Sequence, residues 1–355
     1  MRSKATCSAW TTSGWCHRNS VMKCILTMLL AAAELAVGQS NSVSEKAKTE
    51  PLPSAKPVPE MQAIPLPQKG ISFQHQGREL TRLHAAPDQQ RPFLFPMMAP
   101  CGVSLTRMGH PRDPVSHSHH NSVWISHFNI GDTNFWEDKL KPGAGKIVLQ
   151  KIERLWDAAD RCGCTMLNDW VQTGTPEVKV LQERRTLEIW RPDAEGNWLL
   201  VIDLEFSTTA DQPVVIAETP FGPIGVRMAK TIGVNDGGGR ILNSSGQRNE
   251  AECFRKPARW VDYSGPLTTK DFGGVALFDH PNNPNHPNAF HVRNDGWMGA
   301  TLTFTGPLSV EKEKPIKLRY GLWSHAGVPT QEAVEAQWKA FSGLGESGGV
   351  DQVKK

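Results

Sequence analysis

Several features are missing from this chain of 355 residues, and each absence narrows what it can be. No apolar run reaches the roughly 20 residues that a helix needs to cross a bilayer, so an integral membrane segment in the mature chain is excluded. There is no Lys/Arg block and no interleaving of basic with aromatic residues, and the formal net charge is only +3. Such a surface has no footprint for a phosphate backbone, so nucleic acid is not an expected partner. No segment recurs at a period of roughly 20 to 50 residues, which disfavours propellers and solenoids. Helical periodicity is scarce, and only 2 tyrosines stand against 12 tryptophans and 13 phenylalanines.

The bulk composition, 39% hydrophobic and 21% charged, is that of an ordinary globular protein, and 31 Gly with 26 Pro favour a turn-rich, strand-dominated fold. The N-terminus reads differently. Met22 and Lys23 precede the apolar run CILTMLLAAA, too short to span a membrane but suited to a signal peptide, with Ala36 and Gly38 as the small residues before a cleavage site. Residues 22–38 are therefore expected to be a signal peptide, residues 1–21 an upstream extension, and the mature protein secreted or periplasmic. Residues 39–70 carry Pro51, Pro53, Pro57, Pro59, Pro65 and Pro67 among polar residues, which predicts a linker that buries no core.

Four of the cysteines, Cys101, Cys162, Cys164 and Cys253, lie beyond the signal segment. Four allow three pairings, and a bond between Cys162 and Cys164 across a single Gly would be strained, so this pair reads as structural or free.

From residue 71 short apolar-alternating runs such as GKIVLQKI, NWLLVIDLEFS, GVALFDH and IKLRYGLWSH are separated by Gly, Pro, Asn or Asp. Their period is two, not 3.6. The expectation is an all-β fold, a large antiparallel β-sandwich over residues 71–343 with one C-terminal helix. That helix is predicted over 329–343, with Thr330 as cap, Glu332 near its positive end, Val334, Trp338 and Phe341 at helical spacing and Gly343 as stop. Residues 344–355 read as a flexible tail.

Two stretches concentrate chemistry. SHSHHNSVWISHFNIGDTNFW, residues 116–136, holds His117, His119, His120 and His127 with Trp124 and Trp136. If extended, it would project His117 and His119 from one face, and an i, i+2 pair of imidazoles is a start for a divalent transition-metal site. FDHPNNPNHPNAFHVRND, residues 278–295, holds Asp279, His280, His286, His291, Arg293 and Asp295, with its Asn/Pro segment as a loop on a rigid sheet. A third candidate, AETPFGPIGVRMA, offers Glu218 as a carboxylate and Arg227 as a clamp. Polar side chains in apolar surroundings are tolerated mainly where they share a wet cleft, so the two histidine stretches are expected to meet in one pocket. His75, His84, His110 and His325 read as isolated histidines.

HSHHNSVW with Phe135-Trp136 following, then ETPFGPIGVR, then DHPNNPNHPNAFHVR, together resemble the secreted bacterial family labelled "methane oxygenase PmoA", over about residues 75–328. The resemblance implies a β-supersandwich similar to the galactose mutarotase group, in which a histidine acts as acid and a carboxylate as base. The function expected is therefore a carbohydrate-directed enzyme, an epimerase, lyase or hydrolase. His117, His119, His291 and Glu218 are its candidate acid/base groups, and Trp124, His127, Trp136, Arg227, His280, His286 and Arg293 its candidate sugar contacts. The rival readings are a copper- or iron-dependent oxidoreductase using His117, His119 and His291 as ligands, and a non-catalytic protein whose Trp124 and Trp136 stack on sugar faces.

Overall fold

The computed structural model describes residues 56–110, 117–138 and 143–348. Of the described residues, those from 59 to 348 belong to one compact unit. The expected extension, signal peptide and linker residues 39–55, together with 349–355 of the tail, lie outside the described residues.

In chain order the strands are β1 (Met61–Leu66), β2 (Gly70–His75), β3 (Arg78–His84), β4 (Phe93–Met97), β5 (Val123–Ile125), β6 (Gly145–Trp156), β7 (Arg161–Gln172), β8 (Val178–Trp190), β9 (Trp198–Ser207) and β10 (Val214–Ile216). They continue as β11 (Ile224–Arg227), β12 (Arg240–Asn243), β13 (Lys256–Pro257), β14 (Trp260–Pro266), β15 (Phe272–Asp279), β16 (Ala289–Arg293), β17 (Trp297–Thr301), β18 (Leu308–Val310) and β19 (Ile316–Ala326). Two short helices, α1 (Val234–Gly237) and α2 (Asn249–Cys253), precede the C-terminal α3 (Gln331–Ser342).

One sheet has nine strands in the order β1-β2-β3-β4-β5-β11-β17-β16-β13, a second has eight in the order β12-β14-β15-β19-β9-β8-β7-β6, and β10 pairs with β18. The pairing is antiparallel throughout, as in β8 with β9 and β16 with β17. Phe73, Ile125 and Val226 of the first sheet share one buried cluster with Trp170, Leu204 and Leu277 of the second. The two sheets thus pack face to face, and the all-β sandwich expected from the period-two runs is what forms.

The C-terminal helix starts one residue after Thr330, whose side chain accepts a hydrogen bond from Ala333 N at 3.2 Å. Its buried Val334 and Phe341 cover Trp260, Phe278 and Val201 on the outer face of the eight-stranded sheet. Three readings need correction. The linker stops earlier than residue 70, because β1 pairs along its whole length with β2 and buries Met61 and Ala63. Its alternation was masked by Pro65, which an edge strand tolerates. The tail is docked as far as Gly348, where Arg319 donates to Leu344 O and Gly345 O, and Gly348 N donates to Glu188. Residues 117–120 form a turn closed by His120 N donating to His117 O, and the strand is only Val123–Ile125.

Cys101, Cys162, Cys164 and Cys253 are all free, the last three buried. Burial pushes the Cys164 and Cys253 thiols up to about 12, so they are protonated packing groups. Among the described residues no helix is long and apolar enough to cross a membrane.

Candidate functional site

The site is built on the outer face of the nine-stranded sheet. Alternation sends Val123, Ile125, Ile224, Val226, Phe290, Val292 and Met298 into the main core and turns Trp124, Gly225, Trp297, Gly299 and His291 the other way. Phe93, Trp124, Trp136 and Trp297 form a separate buried cluster there, flanked by Phe95 and Phe221. Two glycines make room for it. A Cβ on Gly225 would lie 2.7 Å from Trp124 and 2.8 Å from Trp297, and one on Gly299 would lie 2.6 Å from Ile224 O and 3.1 Å from the Trp297 ring. The indoles lie directly over backbone, a close approach that only glycine permits.

Over this aromatic floor sits the histidine turn. The His117, His119 and His120 ring centroids are 4.6 to 5.9 Å apart, and His110 lies 5.0 Å from His117. His120 is stacked between Trp124 at 5.4 Å and Trp297 at 5.3 Å. Arg91 holds the turn in place. Fully buried, it donates to Asn121 Oδ1 at 2.7 Å, Trp136 O at 2.7 Å, Glu137 O at 2.9 Å, Phe135 O at 3.1 Å and His119 O at 3.2 Å. One guanidinium thereby binds the 119–121 and 135–137 segments together, using a fork that lysine lacks. Ser118 Oγ donates to Asp138 at 3.0 Å and completes the tie.

Burial sets the charge of these imidazoles. It lowers His119 to about 4, assisted by the Arg91 and His117 charges against Asp138, and it lowers His120 further, assisted by His119 and Arg227. Both are neutral near pH 7 and act as hydrogen-bonding groups, not as cations. His127 is also lowered to about 4 by burial. Its Nδ1 lies 3.0 Å from Asn129 O and its Nε2 3.1 Å from Thr303 Oγ1, which makes it a satisfied core histidine rather than a pocket wall.

Beside the turn runs a line of charge. His110 Nε2 is 2.9 Å from Asp295 Oδ2, and Arg227 Nη1 donates to Asp295 Oδ1 at 3.1 Å. Burial opposes ionisation of Asp295, but Arg227 and His110 outweigh it and hold the carboxyl below its usual range. Arg227 is fully buried, and its Nη2 and Nε have no hydrogen-bond partner among the described residues. A carboxylate on Nε2 fixes the His110 tautomer with its proton there, the arrangement by which a general base is oriented.

The second dense stretch divides between the two sheets. His291, on β16, pairs across from Gly299, and its ring lies 6.0 Å from Trp297 and 5.9 Å from Phe221. His120 and His291 thus share Trp297 as a neighbour. His291 Nδ1 is 2.9 Å from Pro220 O, which places the proton on Nδ1 and the lone pair of the neutral ring on Nε2. The expectation that His280 and His286 would also join this pocket fails. Their rings pack on Phe341 and Trp338 of α3 at 5.4 and 6.2 Å. Asp279, fully buried, accepts from His286 Nδ1 at 2.9 Å, Asn288 N at 2.9 Å and Asn283 Nδ2 at 2.8 Å. The Asn/Pro loop is wound around that carboxylate, so its polar density is a scaffold for the loop.

Other candidates are also placed. Glu218 is exposed on the loop between β10 and β11, while Asp295 is the carboxylate bonded to a histidine of the cluster. Arg293 is exposed and paired with Glu250 at 2.7 Å. Trp124 and Trp136, 1% and 5% exposed, present no free face for stacking on a sugar. No three of His, Cys, Asp or Glu among the described residues stand where they could hold one metal ion, so His117, His119 and His291 are not gathered into a ligand set. Sequence reasoning missed Arg91, Trp297 and the pairing of His110 with Asp295. No local pattern marks them, since the partners of Arg91 and His110 are 28 to 185 residues away and Trp297 meets His120 and Trp124 from a distant part of the chain.

A polar cleft of about 510 Å³ lies elsewhere, on the outer face of the eight-stranded sheet, lined by Arg184, Asp203, Glu205, His280, Lys317 and Arg319. Its charges are matched to one another, Arg319 to Asp203 at 2.6 and 2.9 Å and Lys317 to Glu205 at 3.6 Å. The histidine face, with its unpaired buried donors and oriented Asp–His pair, is the better candidate for chemistry.

The fold and this face define an antiparallel β-sandwich protein with a histidine turn on an aromatic floor. The chain belongs to the family of unknown function DUF6807, whose profile matches residues 70–339. No curated protein matches it. Among solved structures, a "putative mutarotase (YeaD) from Salmonella typhimurium" is similar over 74% of this chain and 96% of that one, at 10% identity and a TM-score of 0.27.

Proposed function

We propose that the protein is a carbohydrate-directed enzyme, an epimerase, lyase or hydrolase, exported through the apolar N-terminal run and working by acid/base chemistry at the histidine face. The observation that carries this reading is the His110–Asp295–Arg227 line beside the turn of His117, His119 and His120. Arg227 keeps Asp295 ionised, Asp295 orients His110, and His110 exchanges a proton with the substrate. His291, its lone pair on Nε2, is a second base across Trp297, and His119 and His120, neutral near pH 7, supply hydrogen bonds to hydroxyls without adding charge. The carboxylate role first assigned to Glu218 passes to Asp295.

The metal-dependent oxidoreductase implied by the "methane oxygenase PmoA" resemblance has no gathered ligand set among the described residues in its support, and the indoles of the stacking reading, Trp124 and Trp136, are buried. The test is turnover of a panel of neutral and acidic mono- and disaccharides followed by proton NMR. His110→Gln and Asp295→Asn should each lower kcat by about 10²-fold or more, while His286→Gln should leave it intact. Undiminished turnover in both site variants would overturn the assignment.

A further inference from the structure

We infer that the ligand of this site is an acidic sugar, its carboxylate held by Arg255 and Arg293 beside His291; this rests on the sugar-directed reading above. Both guanidinium carbons lie over the same ring, Arg255 at 4.9 Å and Arg293 at 5.5 Å from the Phe254 centroid. Phe254 in turn meets His291 edge-on at 4.9 Å. Two cations on one ring next to a candidate base place positive charge at the margin of the histidine face.

The ion pairing of this corner is incomplete. Arg293 uses Nε on Glu250 Oε1, whose other oxygen accepts from Asn294 N at 2.8 Å, and its Nη pair makes no ion pair with a carboxylate among the described residues. Arg255, exposed, pairs with no carboxylate among the described residues. Its backbone is also unusual, with a φ of +58° and N–H donating to Phe290 O at 2.8 Å. A long side chain rarely adopts that left-handed conformation, and such strain collects at binding sites.

Of the charges touching Phe254 or these arginines, two guanidinia stand against one carboxylate, leaving one positive charge. A singly charged carboxylate matches that better than a doubly charged phosphate ester, and a guanidinium fork matches carboxylate geometry. Both arginines also lower the basicity of His291, after burial itself, so an anion bound there would restore basicity to the neighbouring ring.

Calorimetry on the full chain and on Arg255→Gln and Arg293→Gln variants tests this, with D-glucuronate, D-galacturonate, their neutral parents and glucose 6-phosphate as probes. Both side chains are exposed, so the variants should melt within a few degrees of the parent. At least one acid should bind about tenfold or more tighter than its neutral parent, and either substitution should erase most of that preference while the neutral parent binds as before. Equal binding of acid and parent, a preference that survives both substitutions, or tighter binding of the phosphate ester would overturn the carboxylate assignment and leave the sugar reading standing. Binding of none of the probes would overturn both.

Discussion

Arg91→Met removes the one side chain that ties the histidine turn to the sheet while preserving its apolar length. Five acceptors lose a donor, four of them backbone carbonyls. Phe135 O keeps Ser126 Oγ as a donor and Glu137 is exposed, so the acceptors stranded are His119 O, Trp136 O and Asn121 Oδ1. At about 1–3 kcal/mol for each unpaired buried acceptor, the three give roughly 3–9 kcal/mol. Against this, Met relieves the burial of a charge. Burial lowers the Arg91 pKa from 12.5 to about 10, with Asp138 opposing, which at roughly 1.4 kcal/mol per unit offsets about 3 kcal/mol. The net loss is on the order of 3 kcal/mol, and for a domain of this size it corresponds to about 6–12 °C in thermal midpoint. Urea titration measures the loss, and amide exchange locates it: protection should fall first in residues 117–138. Arg91→Lys should recover only part of the stability, because an ammonium cannot span the same carbonyls. A midpoint within about 2 °C of the parent, with unchanged exchange in 117–138, would refute the claim that Arg91 positions the turn.

Acid should destabilise the fold: His119 and His127 sit near 4 against 6.5, so the unfolded chain binds more protons below pH 6.5, and stability present above that value is lost as pH falls toward 4, about 2 kcal/mol per histidine between pH 7 and 5. His127→Asn should flatten the slope measured by urea titration across that window, and an unchanged slope would contradict the assignment. Asp279→Ala should cost roughly 3–5 kcal/mol by stranding the donors of its loop, read by thermal melting, with Asp279→Asn milder. Loss of turnover in Asp279→Ala with an unchanged midpoint would instead put Asp279 in the chemistry.

What the sequence determined by itself is whatever depends on neighbours along the chain. Period-two runs such as NWLLVIDLEFS specified strands with one face buried, and Thr330 with Val334 and Phe341 specified the helix, because side-chain direction and capping are local properties. The density of histidine at 117–120 was likewise visible, and so was the identity of the aromatic residues beside it. Pro65 hid the edge strand β1, and the turn at 117–120 was read as extended because the same residues suit either conformation until Arg91 fixes one.

Tertiary structure alone decided which polar groups meet. His110 and Asp295 are 185 residues apart in the chain and 2.9 Å apart in space, while His286 and His291, five positions apart, serve different sheets. Asp279 and Asp295 carry the same carboxyl group, yet one is satisfied by the donors of its own loop and the other by a histidine and a buried arginine. Sequence carries each residue's donors and acceptors, but partner choice follows from antiparallel register and from which face of the sandwich a strand presents, and both are settled only when the two sheets close on a common core.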